Sequence, residues 1–306
     1  MKIVSLLPST TEIICRLGYQ HLLVGRSHEC DVPESITNLP VITKPGFKSD
    51  VSSSEINRQI THLIRNGLSV YRVDDEKLNQ LKPDVILTQD QCEACAASFS
   101  DIKEAVSKKV DKDINIVSVS PSNLQEVCES FGQIGAAVGD YFSGANLADY
   151  VFKKMESLKS AIKVEDDYPT IACIEWLEPL MCAGNWIPEL ANYARCNYLL
   201  GNAGEHSPVI TWETVIEANP DIIILFPCGY SIQQTLDEMG LLTGKDEWQT
   251  LKAVQNEQVY IADGNQYFNR PGPRLLDSAY ILAEIAHPEH FDSRFQGNGW
   301  INYFHH

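Results

Sequence analysis

Apolar residues recur at spacings of three and four over 143–163, which is the pattern of one face of an amphipathic helix. The stripe consists of Leu147, Val151, Met155, Leu158 and Ile162. We expect Ser143 to cap the helix, and the lysines of its second half suit the negative end of the helix dipole. The spacing alone fits an ordinary surface helix equally well. Its position in the chain favours a linker between two halves.

Two similar runs of residues lie on either side of this helix. Residues 81–87 read LKPDVIL and lead to Cys92, and residues 218–225 read ANPDIIIL and lead to Cys228. Each run predicts a helix end, a Pro-Asp turn, an apolar strand and a loop with a cysteine. Continuous apolar strands are typical of parallel sheets that are covered on both faces.

Further strands complete the pattern in each half. We predict them at 2–7 and 115–120 in the first half, and at 170–176 and 258–262 in the second. The fold class is therefore α/β, with two similar lobes that have central parallel sheets and are joined by one long rigid helix. A chain of 306 residues suits two lobes of about 140 residues each. We expect a cleft between them.

Domain bounds follow from these elements. The N-terminal lobe is predicted at 1–142, the linker helix at 143–163 and the C-terminal lobe at 164–290. The tail, 291–306, shows no periodicity, so it either wraps a lobe or stays loose.

Composition and charge exclude two classes of partner. The net charge of −17 argues against nucleic acid, whose phosphates need clustered lysine and arginine. No apolar run reaches the ~18 residues that a bilayer crossing needs, so we expect no membrane insertion. A hydrophobic content of 44% is that of a globular protein.

The first residues bear on location. The chain enters a short strand at Ile3 and meets Pro8-Ser9 at once, without the apolar core of a secretion signal. If Met1 is the native start, this predicts a cytoplasmic protein; a removed signal would make it periplasmic. The nine cysteines, an odd number, favour reduced thiols over a disulfide framework.

Two loops of the first half carry candidate chemistry. Ser9-Thr10-Thr11-Glu12 reads as a capping box after the first strand, and its free N–H groups could also hold a polar group of a ligand. His28, Glu29 and Cys30 follow a short strand at 22–24.

A cysteine pair adds a possible metal site. Cys92 and Cys95 form a C-x-x-C at the mouth of a strand, a spacing that serves thiol redox chemistry or a metal such as zinc or iron. With His28 and Cys30 they would make a set of one histidine and three cysteines. The alternative is a group of buried thiols near a cleft.

Aromatic side chains are frequent in the predicted strand-end loops, where few charges accompany them. They are Phe47, Trp176, Trp186, Phe226, Tyr230, Tyr267 and Phe268. Aromatic walls with a few polar groups suit a large, partly apolar small-molecule ligand. Any one of them could equally pack a lobe.

These motifs together resemble a known family. The turn Pro8-Ser9-Thr10-Thr11-Glu12, the loop 25–33 with Asp31 and Pro33, and the runs 81–87, 184–190 and 273–275 occur in the order seen in class III substrate-binding proteins of ABC importers. That is the vitamin B12 and iron-siderophore type, which has a helical backbone. The resemblance extends to about His290. The pattern of 27–31 and 91–95 is similar to that of a cobalamin-binding subgroup.

The resemblance implies a non-enzymatic protein that binds a cobalamin-like corrinoid between its lobes. Phe47, Trp176 and Phe268 would then face the ligand, and Ser9, Thr10 and Arg274 would contact its polar edges. The full set of implied ligand contacts is Pro8, Ser9, Thr10, Glu29, Phe47, Glu175, Trp176, Trp186, Tyr267, Phe268 and Arg274. His28 or a cysteine would be available to the cobalt.

Three other interpretations remain open. The ligand could be another metal chelate. The chain could be an importer component that docks on an ABC permease, if it is exported. It could also be a metal- or thiol-dependent enzyme that uses His28, Cys30, Cys92 and Cys95, with Glu175 as proton carrier.

Overall fold

A computed structural model describes the chain at residues 1–66, 69–89, 114–163 and 167–306. In these ranges the chain forms two compact units. The first consists of Met1–Val51, Glu55–Pro121 and Gln125–Tyr150, and the second of Ser52–Ser54, Ser122–Leu124 and Val151–His306. No helix in the described ranges combines the length and apolarity that a membrane crossing requires.

The first unit is built on a parallel sheet. Its strands are β1 (Ile3–Ser5), β2 (Leu23–Arg26), β5 (Val85–Gln89) and β6 (Asn115–Val119), in the order β2-β1-β5-β6. A separate antiparallel ribbon joins β3 (Thr43–Pro45) to β4 (Tyr71–Val73). The helices are α1 (Pro8–Arg16), α2 (Ser53–Arg65), α3 (Asp75–Leu81) and α4 (Leu124–Ala137). All five residues of β5 are buried, as its apolar sequence predicts.

The second unit repeats this plan. Its strands are β7 (Thr170–Trp176), β8 (Met181–Cys182), β9 (Asn197–Tyr198), β10 (Ile222–Leu225), β11 (Val259–Ala262) and β12 (Trp300–Asn302). Parallel pairs run β9-β7-β10-β11, while β8 and β12 add antiparallel pairs to β7 and β11. The helices are α6 (Ile187–Tyr193), α7 (Trp212–Ala218), α8 (Ile232–Glu238), α9 (Gly240–Thr243), α10 (Lys252–Gln255) and α11 (Leu275–Ala286).

The parallel order of the two sheets is the same, which explains the two similar runs of sequence. A seven-residue helix precedes the central strand in each unit, α3 before β5 and α7 before β10. Each helix ends at a left-handed residue, Lys82 with φ 49° or Asn219 with φ 39°. This conformation stops the helix, and the proline that follows prevents its continuation.

The aspartate after each proline ties this turn to the first strand of its unit. The carboxylate of Asp84 accepts the backbone N–H of Lys2 at 2.7 Å, and that of Asp221 accepts the N–H of Thr170 at 2.8 Å. The bond places the central strand beside the first one, so that Ile3 pairs with Val85 and Ile171 with Ile222. The Pro-Asp motif is therefore a sheet-register element.

The long central helix, α5 (Tyr141–Ala161), runs from the first unit at Tyr150 into the second at Val151. Its predicted stripe is buried in the second half at Val151, Met155 and Leu158. The helix begins two residues earlier than predicted, because the carboxylate of Asp140 accepts the N–H of Ser143 at 3.1 Å. Asp140 and not Ser143 is the cap. The proposed domain boundaries at 142, 163 and 290 stay a prediction.

The tail is anchored to the second unit. The carboxylate of Glu284, buried on α11, accepts the backbone N–H groups of Arg294 and Phe295 at 3.1 Å and the indole N–H of Trp300 at 2.9 Å. These bonds turn the chain back, so that β12 pairs with β11. The tail therefore packs on a lobe, which is one of the two outcomes expected for it.

We expect Glu284→Ala to destabilise the protein, because three N–H donors, those of Phe295 and Trp300 in buried bonds, lose their acceptor. The loss should be on the order of 3 kcal/mol in the free energy of unfolding. Glu217→Ala, at an exposed glutamate on α7, should stay within about 0.5 kcal/mol of wild type. Denaturant titration measures both, and hydrogen exchange at 300–302 should accelerate only in the Glu284 variant. Equal stability of the two variants would contradict the anchoring role.

A second prediction concerns the left-handed helix ends. Lys82→Gly should raise the free energy of unfolding by about 0.5–1 kcal/mol, since lysine is strained at this φ and glycine is not. Asn219→Gly should change it less, because asparagine tolerates the left-handed region. Thermal melting of the pair checks this. A stability loss in the Lys82 variant would mean that its side chain contributes more than its backbone costs.

Candidate ligand-binding site

The turn after β1 differs from the predicted capping box. Helix α1 starts at Pro8, and its N-cap is Leu7, which makes no side-chain cap bond. Proline fixes the φ angle that the first helical position needs, so Ser9 falls inside the first turn instead of before it. Ser9, Thr10 and Thr11 are all buried.

The buried hydroxyls form a network with Cys30. The Thr11 hydroxyl lies 2.8 Å from Ser5 Oγ and 3.0 Å from Cys30 Sγ, and Thr10 Oγ1 lies 2.7 Å from Ser5 Oγ. The Cys30 thiol is fully buried. Both side chains are therefore engaged below the surface, and the metal role expected of Cys30 and the ligand contact expected of Thr10 stay predictions. Sequence reasoning missed Ser5 and Thr11 as the partners.

His28 is held beside this network by the β3–β4 ribbon. Its Nδ1 lies 2.7 Å from Thr43 Oγ1, and its ring centroid lies 5.3 Å from that of Tyr71. Burial, with a smaller contribution from the charge of Arg26, lowers the pKa of His28 to about 4. The imidazole is therefore neutral at physiological pH.

Tyr71 connects the remaining candidates of the first unit. Its hydroxyl donates to Glu29 Oε1 at 3.0 Å, and its ring meets Phe47 edge-on with centroids 6.0 Å apart. The structure thus brings His28, Glu29 and Phe47 together around a tyrosine that sequence reasoning did not single out. The signal was weak, since Tyr71 opens a three-residue strand.

The predicted four-residue metal set lies only partly within the described residues. Cys92 and Cys95 lie outside the described residues. Within residues 1–66, 69–89, 114–163 and 167–306, no three His, Cys, Asp or Glu side chains are arranged to hold a metal ion. The role of Cys92 and Cys95 stays a prediction.

Three strand-end loops meet in the second unit. The N–H of Cys228, after β10, donates to the carbonyl of Glu175 in β7 at 3.0 Å, and the N–H of Asn265, after β11, donates to the carbonyl of Tyr230 at 3.0 Å. Gly264 lies so close that a Cβ there would stand 2.1 Å from the Pro227 carbonyl oxygen. Only glycine fits at this crossing.

Trp176 stands at the junction of these loops. Its ring contacts Tyr230 edge-on at 5.4 Å between centroids, and its indole N–H donates to the carbonyl of Glu178 at 3.1 Å. The Tyr230 hydroxyl donates to Glu238 Oε1 at 3.2 Å, and burial followed by that carboxylate raises the pKa of Tyr230. Trp176 is half-buried, so part of its ring remains available to a ligand.

Phe268 and Trp186 are packing residues in this structure. Phe268 is 0% exposed and stacks on Phe226 with centroids 4.2 Å apart. The buried indole of Trp186 donates to the Phe268 carbonyl at 2.7 Å. Both side chains are buried, and the ligand contacts expected of them stay a prediction.

Arg274 and Tyr267 lie on the same side of the second unit. The Arg274 guanidinium sits 5.8 Å from the Tyr267 ring centroid, and its Nη1 donates to Gln266 Oε1 at 2.6 Å. Both side chains are partly exposed, as is Glu175. These three remain available for the ligand contacts predicted for them, whereas Pro8 is buried in the first turn of α1.

Comparison with known proteins identifies the family. Residues 3–265 match the sequence profile of the family described as periplasmic binding protein. The chain belongs to the periplasmic binding protein family. Its members bind substrates, so the predictions of an α/β substrate-binding fold and of a protein that is not an enzyme are confirmed. The narrower cobalamin-binding subgroup stays a prediction.

Three relatives of this periplasmic binding protein illustrate the likeness. The uncharacterized ABC transporter substrate-binding lipoprotein YvrC of Bacillus subtilis is 26% identical over 304 residues, covering 95% of this chain and 81% of its own. The vitamin B12 binding protein of Vibrio cholerae superimposes with a TM-score of 0.63 at 18% identity, covering 93% and 96% of the chains. The heme binding protein HutB of the same organism gives 0.67 at 18%, covering 94% and 99%.

The comparison overturns the predicted location. The family is periplasmic by description, and the Bacillus subtilis relative is a lipoprotein, so both point to the periplasmic or extracellular side of the membrane. The cytoplasmic prediction is wrong. That prediction relied on the first residues of the chain and on the cysteine count, and neither of these determines the compartment in which a folded binding protein acts.

The described cysteines of this periplasmic binding protein should differ sharply in reactivity. Cys228 is exposed, whereas burial raises the pKa of Cys173 and Cys196 and hides their sulfurs. A maleimide should therefore modify Cys228 in the native protein and the other two only in denaturant, as read by mass spectrometry of the peptides. Cys228→Ser is the control. Native labelling of Cys173 would contradict the burial.

Proposed function

We propose that the chain is the substrate-binding protein of an ABC importer and that its substrate is a cobalamin-like corrinoid. The importer role rests on membership of the periplasmic binding protein family and on the likeness to the ABC transporter lipoprotein of Bacillus subtilis. Its partners would then be a small molecule and an ABC permease.

One observation carries the ligand assignment. Trp176 is held by Tyr230 where three strand-end loops meet, and part of its ring stays exposed. Carboxyl ends of parallel strands are where open α/β sheets bind ligands. A partly exposed indole in a fixed orientation offers a flat apolar surface, which a planar macrocycle can cover.

Polar groups around the same loops suit the edge of such a molecule. Arg274 and Tyr267 are partly exposed, and Asn265 is joined to Tyr230 through its backbone. Corrinoids carry amides and a phosphate, which hydrogen-bond donors of this kind can hold.

A heme is the second candidate, because both ligands are flat metal macrocycles. The B12 binding and heme binding proteins of Vibrio cholerae share this fold. We favour the corrinoid on the motif pattern of residues 27–31. Titration with cyanocobalamin, aquocobalamin and hemin, followed by absorbance, separates the two candidates.

We expect Trp176→Ala to weaken binding of the corrinoid by about 2–4 kcal/mol, or roughly thirty- to a thousand-fold. The melting temperature without ligand should change little, because the side chain is only half-buried. Phe142→Ala removes an aromatic ring that is 79% exposed on α5 and should leave binding unchanged. Isothermal titration measures all three proteins.

Phe268→Ala is the matched test of packing against binding. Because Phe268 is fully buried on Phe226, its truncation should cost about 3–5 kcal/mol of stability before any loss of affinity is seen. If wild-type protein gives neither heat nor spectral change with cyano- or aquocobalamin at tens of micromolar, the corrinoid assignment is wrong.

A further inference from the structure

A strained turn follows β11 in the second unit, and Phe268 is at its centre. The N–H of Asn269 donates to the carbonyl of Tyr267 at 2.7 Å, which closes a three-residue γ-turn. Phe268 has φ 65°, in the left-handed region that bulky side chains avoid. A γ-turn with a positive φ at its central residue is the rare and strained form. Such a conformation persists only where other contacts hold it.

Contacts from several elements of the second unit hold this turn. The Phe268 ring is fully buried and stacks on Phe226, directly after β10, with centroids 4.2 Å apart. The backbone N–H of Phe268 donates to Ser278 Oγ at 3.0 Å, and its carbonyl accepts the indole N–H of Trp186 at 2.7 Å. The Asn269 amide donates to the carbonyl of Phe226 at 3.1 Å. Strain that is held in this way is typical of functional sites.

Ser278 joins the turn to the start of α11. A serine hydroxyl has one proton to donate and can accept a second bond. The Ser278 hydroxyl accepts the Phe268 N–H and donates to the Arg274 carbonyl at 3.2 Å. Ser278 is fully buried, so both bonds lie inside the unit. The spacing between Phe268 and Arg274 is therefore fixed by one side chain.

Tyr267 and Arg274 are the residues whose side chains depend on this link. The Arg274 guanidinium lies 5.8 Å from the centroid of the Tyr267 ring, within the range of a cation–π contact. Arg274 Nη1 also donates to Gln266 Oε1 at 2.6 Å. Both side chains are partly exposed. They form one cationic and aromatic surface of the second unit, the Tyr267–Arg274 face.

We propose that Phe268 and Ser278 are positioning residues for ligand binding, because they hold the Tyr267–Arg274 face in one orientation before a ligand arrives. A face that is already ordered loses less side-chain freedom on binding, which raises the affinity. The inference rests on the proposed function, since this face provides two of the contacts expected for the same ligand.

The first experiment measures the position of the face without a ligand. Protein labelled with 3-fluorotyrosine should give one narrow fluorine NMR signal for Tyr267, which Tyr267→Phe identifies by its loss. Ser278→Ala should shift or broaden this signal, because the turn is released from α11. Ser130→Ala is the matched control, since it removes a buried serine hydroxyl on α4 that donates to the Val127 carbonyl, and it should leave the signal unchanged.

The second experiment is a double-mutant cycle on affinity, with cyanocobalamin and hemin as probes. Ser278→Ala should weaken binding by roughly ten-fold. In a background that carries both Tyr267→Ala and Arg274→Ala, the same change should weaken binding no further, because nothing is left to position. An equal loss in both backgrounds would contradict the positioning role, since general damage to the fold does not depend on these two side chains.

A pair of variants tests the strain itself. Phe268→Gly and Phe268→Ala both remove the ring, but only alanine is strained at a positive φ. The glycine variant should therefore melt roughly 2–4 °C above the alanine variant. Equal melting temperatures would overturn the assignment of a strained turn. Melting curves of the Ser278 variant without ligand establish that it is folded.

The outcomes separate this inference from the proposed function. If wild type binds cyanocobalamin and Ser278→Ala changes neither the fluorine signal nor the affinity, the positioning role is wrong and the corrinoid function stands. If wild type binds hemin alone and the cycle shows the expected coupling, the positioning role stands and the corrinoid is wrong. Binding of neither probe at tens of micromolar overturns both.

Discussion

Both sheets depend on one bond between a carboxylate and a backbone N–H. A strand that is buried on both faces has no solvent side to set its position, so its neighbours must fix it. Asp84 and Asp221 do this by holding the end of the preceding helix against the start of the first strand. With that junction in place, Ile3 lies level with Val85 in the first unit and Ile171 with Ile222 in the second.

The position of the candidate site follows from this alignment. Because parallel strands have their carboxyl ends at the same edge of the sheet, the loops after β7, β10 and β11 cross close enough to bond through their backbones and to require glycine at position 264. These crossings orient Trp176, because they hold Tyr230 against its ring. In the first unit, the β3–β4 ribbon orients the loop of His28, because it brings Thr43 and Tyr71 into contact with that loop.

The fold could be predicted from the sequence because the patterns that indicate its strands and helices are local. Apolar runs with Pro-Asp in front of them predict β5 and β10, and a periodic stripe predicts α5 to within two residues at its start. The predicted capping box is wrong because Pro8 occupies the first helical position. The four-residue motif does not indicate which residue will start the helix. The packing of the tail could not be predicted, since the residue that anchors it, Glu284, lies outside the tail on α11.

The site was predicted only in part, and the reason is burial. Trp176 and Phe268 both lie at strand ends, yet Trp176 is partly exposed and Phe268 is buried in a stack on Phe226. Burial depends on what packs above a loop, and no spacing rule contains that information. Thr43 and Tyr71 escaped notice because their strands are three residues long and pair away from the main sheet. The hydroxyl network around Thr11 joins residues up to 25 positions apart.

The pairing of β12 with β11 has a consequence for how copies of this protein behave toward one another. An open sheet edge exposes unpaired N–H and C=O groups, which can recruit a strand from another molecule. Here the last strand of the chain covers the β11 edge in antiparallel fashion, and a buried carboxylate keeps it there. β12, a strand of three residues, therefore takes the edge position in place of the apolar β11, and removal of β12 would leave β11 open to intermolecular strand addition.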